Sequence, residues 1–132
     1  MNPITILVVE DDPANQELER AIITSSDEPL LKGCNVLVAG SLAEARAYLS
    51  GNSVDVMLLD VGLPDGDGLA LVADAKSMGA GRTRTIVVSG SVFPMERREA
   101  LSTGADEFVA KPLDPDDLIR TIVGLLVPPR DE

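Results

Sequence analysis

A length of 132 residues and a hydrophobic content of 45% indicate one domain with a real core. The net charge of −11 excludes nucleic acid as an expected partner, because binding it requires Lys and Arg to neutralise phosphates. The chain has no histidine and a single cysteine, Cys34, which excludes Ser-His and Cys-His nucleophile pairs, histidine metal sites and an internal disulfide.

The chain begins with a strand pattern followed by a helix pattern. The apolar run Ile4–Val9 predicts a first strand. The Asp-Pro pair at 12–13 predicts an N-cap with proline in the first turn of a helix. Leu18, Ala21 and Ile22 have the i, i+3, i+4 spacing of an apolar helix face, so we expect them to face the core.

The same alternation repeats four more times. Further strands are predicted at 35–39, 54–59, 85–88 and 107–110. The helices that follow them are predicted to begin at a capping box at 41–44, after a Gly/Pro/Asp loop at 62–68, at Pro94, and at a second Asp-Pro pair at 114–115. Leu42, Ala45 and Leu49 are predicted to form the buried face of the second helix.

Five βα repeats predict an α/β fold, with a doubly wound parallel sheet and helices on both faces. We expect a flavodoxin-like (βα)5 arrangement of five strands in the order 2-1-3-4-5. The domain is predicted to span residues 1–127, with a polar tail at 128–132. No signal peptide precedes the first strand and no apolar run is long enough to span a membrane, so we expect a cytoplasmic protein without a membrane partner.

Polar side chains follow the predicted strands at their carboxyl ends, where parallel sheets bind ligands. The acidic run 10–12 follows the first strand, Asp60 the third, Ser89 the fourth and Lys111 the fifth. Carboxylates at this edge could hold Mg²⁺, and an aspartate could act as a nucleophile toward a phosphoryl group. A lysine ammonium and a serine hydroxyl could then contact the phosphoryl oxygens.

Each of these residues has a simpler interpretation when it is considered alone. Asp12 before proline is typical of a helix cap, and Glu10 and Asp11 could be a solvated loop of an acidic protein. Ser89 and Lys111 could be an ordinary strand-end serine and a surface lysine. Their combined placement at the ends of successive strands favours one functional site over a set of coincidences.

Four motifs resemble the receiver domain of two-component response regulators. They are the acidic strand end at 8–13, the Asp60 loop at 58–68, the segment Val87-Val88-Ser89-Gly90 and the segment at 104–112 that ends in Lys111-Pro112. The resemblance covers residues Ile4 to Leu126, which is almost the whole chain. Because the chain starts at Met1, we expect a stand-alone, chemotaxis-type single-domain receiver.

The resemblance implies a role for each site residue. Asp60 is expected to be the phosphoacceptor, and Mg²⁺ is expected to be bound by Glu10, Asp11, Asp60 and the backbone carbonyl of Gly62. Ser89 and Lys111 are expected to contact the phosphoryl group, Phe108 is expected to be the switch aromatic, and the Lys111–Pro112 peptide bond is expected to be cis.

The resemblance also implies partners. The phosphodonor is expected to be a histidine kinase or a histidine phosphotransfer protein, and a downstream protein is expected to bind the face formed by the fourth helix, fifth strand and fifth helix. We expect a monomer, with a phosphorylation-dependent dimer as the alternative, and no catalysis beyond the domain's own phosphorylation and dephosphorylation. Gly62 and Gly90 put little bulk beside Asp60, so we hypothesise a short-lived aspartyl phosphate.

Three rival functions remain open at this point. A Mg²⁺-dependent phosphatase of the haloacid dehalogenase type needs a second aspartate two residues after the first, where this chain has Gly62. A flavodoxin-like FMN-binding module needs phosphate-binding N–H groups after the first strand, where this chain has carboxylates. A phosphate-independent docking receiver would need none of the site residues.

Overall fold

A computed structural model of the chain describes residues 3–60, 68–77, 83–90 and 94–126, and the side chains of all of these except 94–97. Most of the predicted loop at 62–68 and the predicted tail at 128–132 therefore lie outside the described residues.

Five strands alternate with five α-helices along the chain. The strands are β1 Thr5–Val9, β2 Asn35–Ala39, β3 Val56–Asp60, β4 Arg84–Ser89 and β5 Glu107–Ala110. The helices are α1 Pro13–Thr24, α2 Leu42–Gly51, α3 Gly68–Ser77, α4 Pro94–Ser102 and α5 Pro115–Leu126. The longest of them have 12 residues, and no helix in the described ranges has the length and apolar character of a membrane span.

The five strands form one parallel sheet in the order β2-β1-β3-β4-β5, which confirms the predicted topology. Val9 pairs with both Ala39 and Leu59, so the first three strands end at the same level. At the other side of the sheet, Ser89 of β4 pairs with Ala110 of β5. The residues that follow these positions are consequently brought to one edge.

The core has two layers, one on each face of the sheet. Successive side chains of a strand point to opposite faces, so β1 contributes Leu7 and Val9 to one layer and Ile6 and Val8 to the other. The first layer is completed by α2, α3 and Ala100 of α4, and it includes the predicted face of α2, which is buried as expected. The second layer is completed by α1 and α5.

Capping residues fix where the helices start. The Asp12 carboxylate accepts a hydrogen bond from the Ala14 backbone N–H at 3.0 Å, and Asp114 accepts one from Asp116 at 2.9 Å. These caps confirm the two Asp-Pro predictions. The two capping residues follow the carboxyl ends of β1 and β5 by three and four residues, so both helices start near this edge of the sheet.

The predicted core-facing side of α1 is wrong for Leu18 and Ala21 and right for Ile22. Leu18 is 50% exposed and Ala21 is also exposed, whereas Glu19, Ile22 and Ile23 are buried. This second set has the same i, i+3, i+4 spacing, so periodicity alone could not separate the two faces. The tertiary fold chose the side that buries two isoleucines.

A second difference lies between α1 and β2, where no helix was predicted. Residues Pro29–Leu31 form a short 3₁₀ helix, with Glu28 as its N-cap. Leu31 is buried in the layer formed with α1 and α5. Pro29 begins this turn, because proline is well suited to the first position of a helical turn.

Candidate functional site

Three charged side chains meet at the carboxyl edge of the sheet. Glu10 follows β1 and is 2% exposed, and its backbone N–H donates to the Ala39 carbonyl at 2.9 Å. Asp60 is the last residue of β3. Lys111 follows β5, and its backbone N–H donates to the Ser89 carbonyl at 2.8 Å. Sheet hydrogen bonding that continues past β1 and β5 therefore places Glu10 and Lys111, and the end of β3 itself places Asp60.

The Lys111 ammonium bridges the two acidic residues. Its Nζ donates a short hydrogen bond to Asp60 Oδ2 and a second one to Glu10 Oε1 at 3.3 Å. The peptide bond between Lys111 and Pro112 is cis. One ammonium thus faces two carboxylates that originate from neighbouring strands.

The crowding of these groups perturbs their protonation. Burial raises the pKa of the Glu10 carboxyl, and a hydrogen bond with the Asp60 carboxyl raises it further, while Lys111 acts in the opposite direction. Burial alone would lower the pKa of the Lys111 ammonium, but Asp60 and Glu10 outweigh that effect and raise it. The lysine therefore stays charged, and Glu10 holds its proton more tightly than an ordinary glutamate.

The other acidic residues of the run at 10–12 have different positions. The Asp12 backbone N–H donates to Glu10 Oε2 at 3.1 Å, and its own carboxylate caps α1. Asp11 is exposed and makes no hydrogen bond or ion pair with a described residue. Asp12 thus has the structural role that its position before Pro13 suggested, and Asp11 remains open to solvent beside Glu10.

Ser89 and Phe108 belong to β4 and β5, the two strands on the Lys111 side of this edge. Ser89 ends β4 and is 4% exposed. Phe108 is partly buried, pairs with Val87 in the sheet, and packs against the core layer formed with α2 and α3. Gly62, the predicted carbonyl ligand of a metal, lies outside the described residues.

The residue types at this edge fit Mg²⁺. The ion is usually held by one or two carboxylates together with waters and a phosphate, and Glu10 and Asp60 supply two carboxylates within one hydrogen-bonded cluster. Over the described ranges, no three Asp, Glu or Cys side chains are already arranged as a metal site. Glu10 and Asp60, with Asp11 next in sequence, are carboxylates of the type that such an ion prefers.

Two residues of α1 near the site were not predicted. The Gln16 side chain donates from Nε2 to the Glu10 backbone carbonyl at 2.6 Å, which fixes α1 against the end of β1. Glu19, one turn further along, is 1% exposed. Its spacing from Ile22 and Ile23 was the signal that could have identified it as a buried residue.

Comparison with known proteins gives one consistent result. The family model of the response regulator receiver domain matches residues 6–123. The transcriptional regulatory protein AruR of Pseudomonas aeruginosa is 33% identical over 92% of this chain, and TorR of Escherichia coli K12 is 33% identical over 94%. These matches cover 48% and 50% of the two relatives, so the chain spans about half the length of these curated proteins.

Matches over nearly complete chains also exist. An uncharacterized 14.6 kDa protein of Leptolyngbya boryana is 32% identical over 89% of this chain and 86% of its own length. The crystal structure of a CheY-like response regulator receiver domain protein from Methanospirillum hungatei superposes with a TM-score of 0.81 at 28% identity. That superposition covers 95% of this chain and 94% of the other.

Proposed function

The chain belongs to the response regulator receiver domain family of two-component signal transduction, and from this premise we propose that it accepts a phosphoryl group on Asp60. The phosphodonor would be a histidine kinase or a histidine phosphotransfer protein, and Mg²⁺ would be required. The proposed domain spans residues 1–127, with a polar tail at 128–132. The transcriptional role of the longer relatives is not transferred to this chain.

The observation that carries the proposal is the bridge from Lys111 to Asp60 and Glu10. It brings a nucleophilic carboxylate, a second carboxylate and a permanent positive charge together at the ligand-binding edge of a parallel sheet. Phosphoryl transfer depends mainly on positioning and on stabilising the charge of the phosphoryl oxygens, and these three groups are suited to both tasks.

In the proposed reaction, a carboxylate oxygen of Asp60 attacks the phosphorus while the bond from phosphorus to the donor imidazole nitrogen breaks. The electron pair of that bond stays on the imidazole, and the new bond is a mixed carboxylic-phosphoric anhydride. Glu10 and Asp11, with Asp60 and the Gly62 carbonyl, would hold Mg²⁺, which would neutralise charge on the phosphoryl oxygens. Lys111 would exchange its hydrogen bond to Asp60 for one to a phosphoryl oxygen, and the Ser89 hydroxyl would donate to another.

The response to phosphorylation is proposed to pass through β4 and β5. A movement of Ser89 toward the phosphoryl group would act on β5, because Lys111 is hydrogen-bonded to the Ser89 carbonyl and Phe108 pairs with Val87. Phe108 would then change its packing, and the surface of α4, β5 and α5 would bind a downstream protein in its altered form. A monomer that can form a phosphorylation-dependent dimer agrees with this arrangement.

Intact-mass spectrometry after incubation with acetyl phosphate tests the proposal. We expect a phosphate adduct that needs Mg²⁺ and is absent from Asp60→Asn, which keeps the size of the side chain but lacks the nucleophilic carboxylate. Asp106→Asn is the matched control, because it removes a carboxylate at the opposite edge of the sheet and should leave the adduct intact.

Decay of the adduct in the same experiment measures its lifetime, and persistence for many hours would contradict the short-lifetime hypothesis.

An adduct that survives in Asp60→Asn would overturn the assignment of the acceptor. Failure to form any adduct, together with failure to bind beryllofluoride as a phosphoryl mimic, would favour a phosphate-independent docking receiver. Repeated turnover of phosphate esters would instead favour the dehalogenase-type phosphatase.

A further inference from the structure

A cavity of about 470 Å³ lies between α1 and the segment that joins β5 to α5. Its lining consists of Asn15, Leu18, Glu19, Lys111, Pro112 and Leu113. A volume of this size is in the range of small-molecule sites. Of these six residues, only Lys111 takes part in the proposed phosphoryl chemistry, so the cavity adjoins that site but its other five lining residues have no role there.

Glu19 is the unexpected member of this lining. Its side chain is 1% exposed, and its Oε2 has no hydrogen-bond partner in the described part of the chain. Burial raises the pKa of Glu19 to about 8, with a further contribution from the charge of Glu10. A buried carboxyl with an unused oxygen is costly unless a donor reaches it, so this residue points to a missing partner.

That partner is not supplied by the neighbouring lysine. The Lys111 ammonium is hydrogen-bonded to Asp60 and Glu10, which leaves its charge compensated. The charged groups that act on Glu19 are Glu10 and Asp60, which raise its pKa, and Lys111, which lowers it. Two of these three groups act on Glu19 as negative charges, so the charged groups around this carboxyl include more that attract a positive ligand than repel it.

The walls of the cavity specify the rest of the ligand. Leu18, Pro112 and Leu113 are apolar and suit a short hydrocarbon stem, whereas Asn15 adds an amide beside Glu19. We propose that this cavity binds an organic cation, a guanidinium or ammonium group on an alkyl stem, with Glu19 as its ionic partner. A guanidinium fits best, because its paired N–H groups match the two oxygens of a carboxylate.

Binding can be measured on the metal-free, unphosphorylated protein, so a negative result leaves the phosphoryl-transfer proposal untouched. The probe is butylguanidinium, followed through the methyl NMR signals of Leu18 and Leu113. Butylurea is the matched neutral probe, with nearly the same shape and no charge. We expect butylguanidinium to bind at least about tenfold more tightly than butylurea, and Glu19→Gln to remove that preference.

The pH dependence provides a second readout on the unmodified chain. Only the ionised form of Glu19 can pair with the cation, so the affinity should rise by about tenfold from pH 7 to pH 9. Equal binding of butylguanidinium and butylurea, an unchanged preference in Glu19→Gln, or no binding at either pH would overturn the proposal.

A further probe distinguishes the two sources of such a cation. Capped arginine, N-acetylarginine methylamide, carries the guanidinium on a peptide backbone. If it binds as well as butylguanidinium, the cavity accepts an arginine side chain of another protein. If only butylguanidinium binds, the cavity accepts a free small cation, and the site is confirmed in either case.

Discussion

Acidic side chains lie at both edges of the parallel sheet, but their bonding differs. At the amino edge, Asp55 Oδ2 accepts a hydrogen bond from the Thr5 backbone N–H, and Asp106 Oδ2 accepts one from that of Thr85, each at 2.8 Å. Asp106 also pairs with the partly exposed Arg84 guanidinium at 3.6 Å. These carboxylates extend the hydrogen bonding of the sheet where the strands begin.

At the carboxyl edge, the acidic groups face one another. Glu10 and Asp60 share one ammonium, from Lys111, and Glu10 has a raised pKa because it is buried beside a second carboxyl. Glu19 adds a third carboxyl to the same electrostatic field. A carboxylate bonded to backbone donors therefore stabilises the fold. Crowded carboxylates instead reduce stability, and they remain available to a cation or a phosphoryl group.

The largest effect that tests this contrast should come from Glu19. Its folded pKa of about 8 lies above the ordinary value of 4.5, so the folded state retains a proton that the unfolded chain has already released in this range. The free energy of unfolding should therefore fall as pH rises from about 4.5 to about 8, by at most about 4–5 kcal/mol. Glu19→Leu should lack this fall and should be more stable than the parent protein at pH 8.

Urea unfolding between pH 5 and pH 8.5 measures this effect. Glu17→Gln, which changes an exposed glutamate on the same helix, is the control and should keep the pH dependence of the parent protein. Identical pH profiles for Glu19→Leu and the parent protein would show that Glu19 carries no such cost.

A smaller loss of stability is expected from Asp106→Ala. The substitution leaves the N–H of fully buried Thr85 without its acceptor, which should cost about 2 kcal/mol of unfolding free energy. Arg84→Ala removes only an exposed ion pair and should cost less than about 1 kcal/mol. Asp60→Asn should cost no stability, or should stabilise the metal-free protein, since it relieves the repulsion between Asp60 and Glu10.

Urea unfolding of all three variants at pH 7 tests this order of stability losses. An equal loss in Asp106→Ala and Asp60→Asn would remove the contrast between the two edges.

A further modest effect is the gain in stability from Mg²⁺. At a tenfold excess over the dissociation constant, a ligand that binds only the folded state adds about 1.4 kcal/mol. This gain should be reduced in Glu10→Gln and retained in Asp106→Asn, as measured by thermal unfolding with and without the ion. A gain of the same size in Glu10→Gln would exclude Glu10 from the metal site.

Much of the fold and of the candidate site could be predicted because the required signals are local. The apolar runs are bounded by Asp-Pro and Ser caps, and their alternation with helix patterns is compatible with few sheet orders. Parallel strands end at a common edge, which is why the sequence alone groups Glu10, Asp60 and Lys111. The hydrogen bonds of Lys111 agree with that grouping.

The amino edge gave no such signal. Asp55 and Asp106 precede strands, where acidic residues are typical of solvated turns, and only the pairing of distant segments reveals that each accepts a backbone hydrogen bond. The separation between donor and acceptor along the chain is 50 residues for Asp55 and 21 for Asp106, which is beyond the range of any local pattern.

The sequence by itself determined the helices and strands, their order, and the edge of the sheet at which the candidate site residues lie. The reason is that secondary-structure propensity, helix caps and the hydrophobic periods of helices and strands are properties of short segments. Only the tertiary structure decided which side of α1 is buried. Leu18 and Glu19 both occupy positions of a plausible i, i+3, i+4 face, and the docking of α1 against β1 buried the glutamate and exposed the leucine. The Glu19 carboxyl, whose Oε2 has no hydrogen-bond partner in the described part of the chain, therefore lies in the cavity that Lys111 also lines. The rotation of a helix about its axis is set by its packing partners and not by its own hydrophobic period.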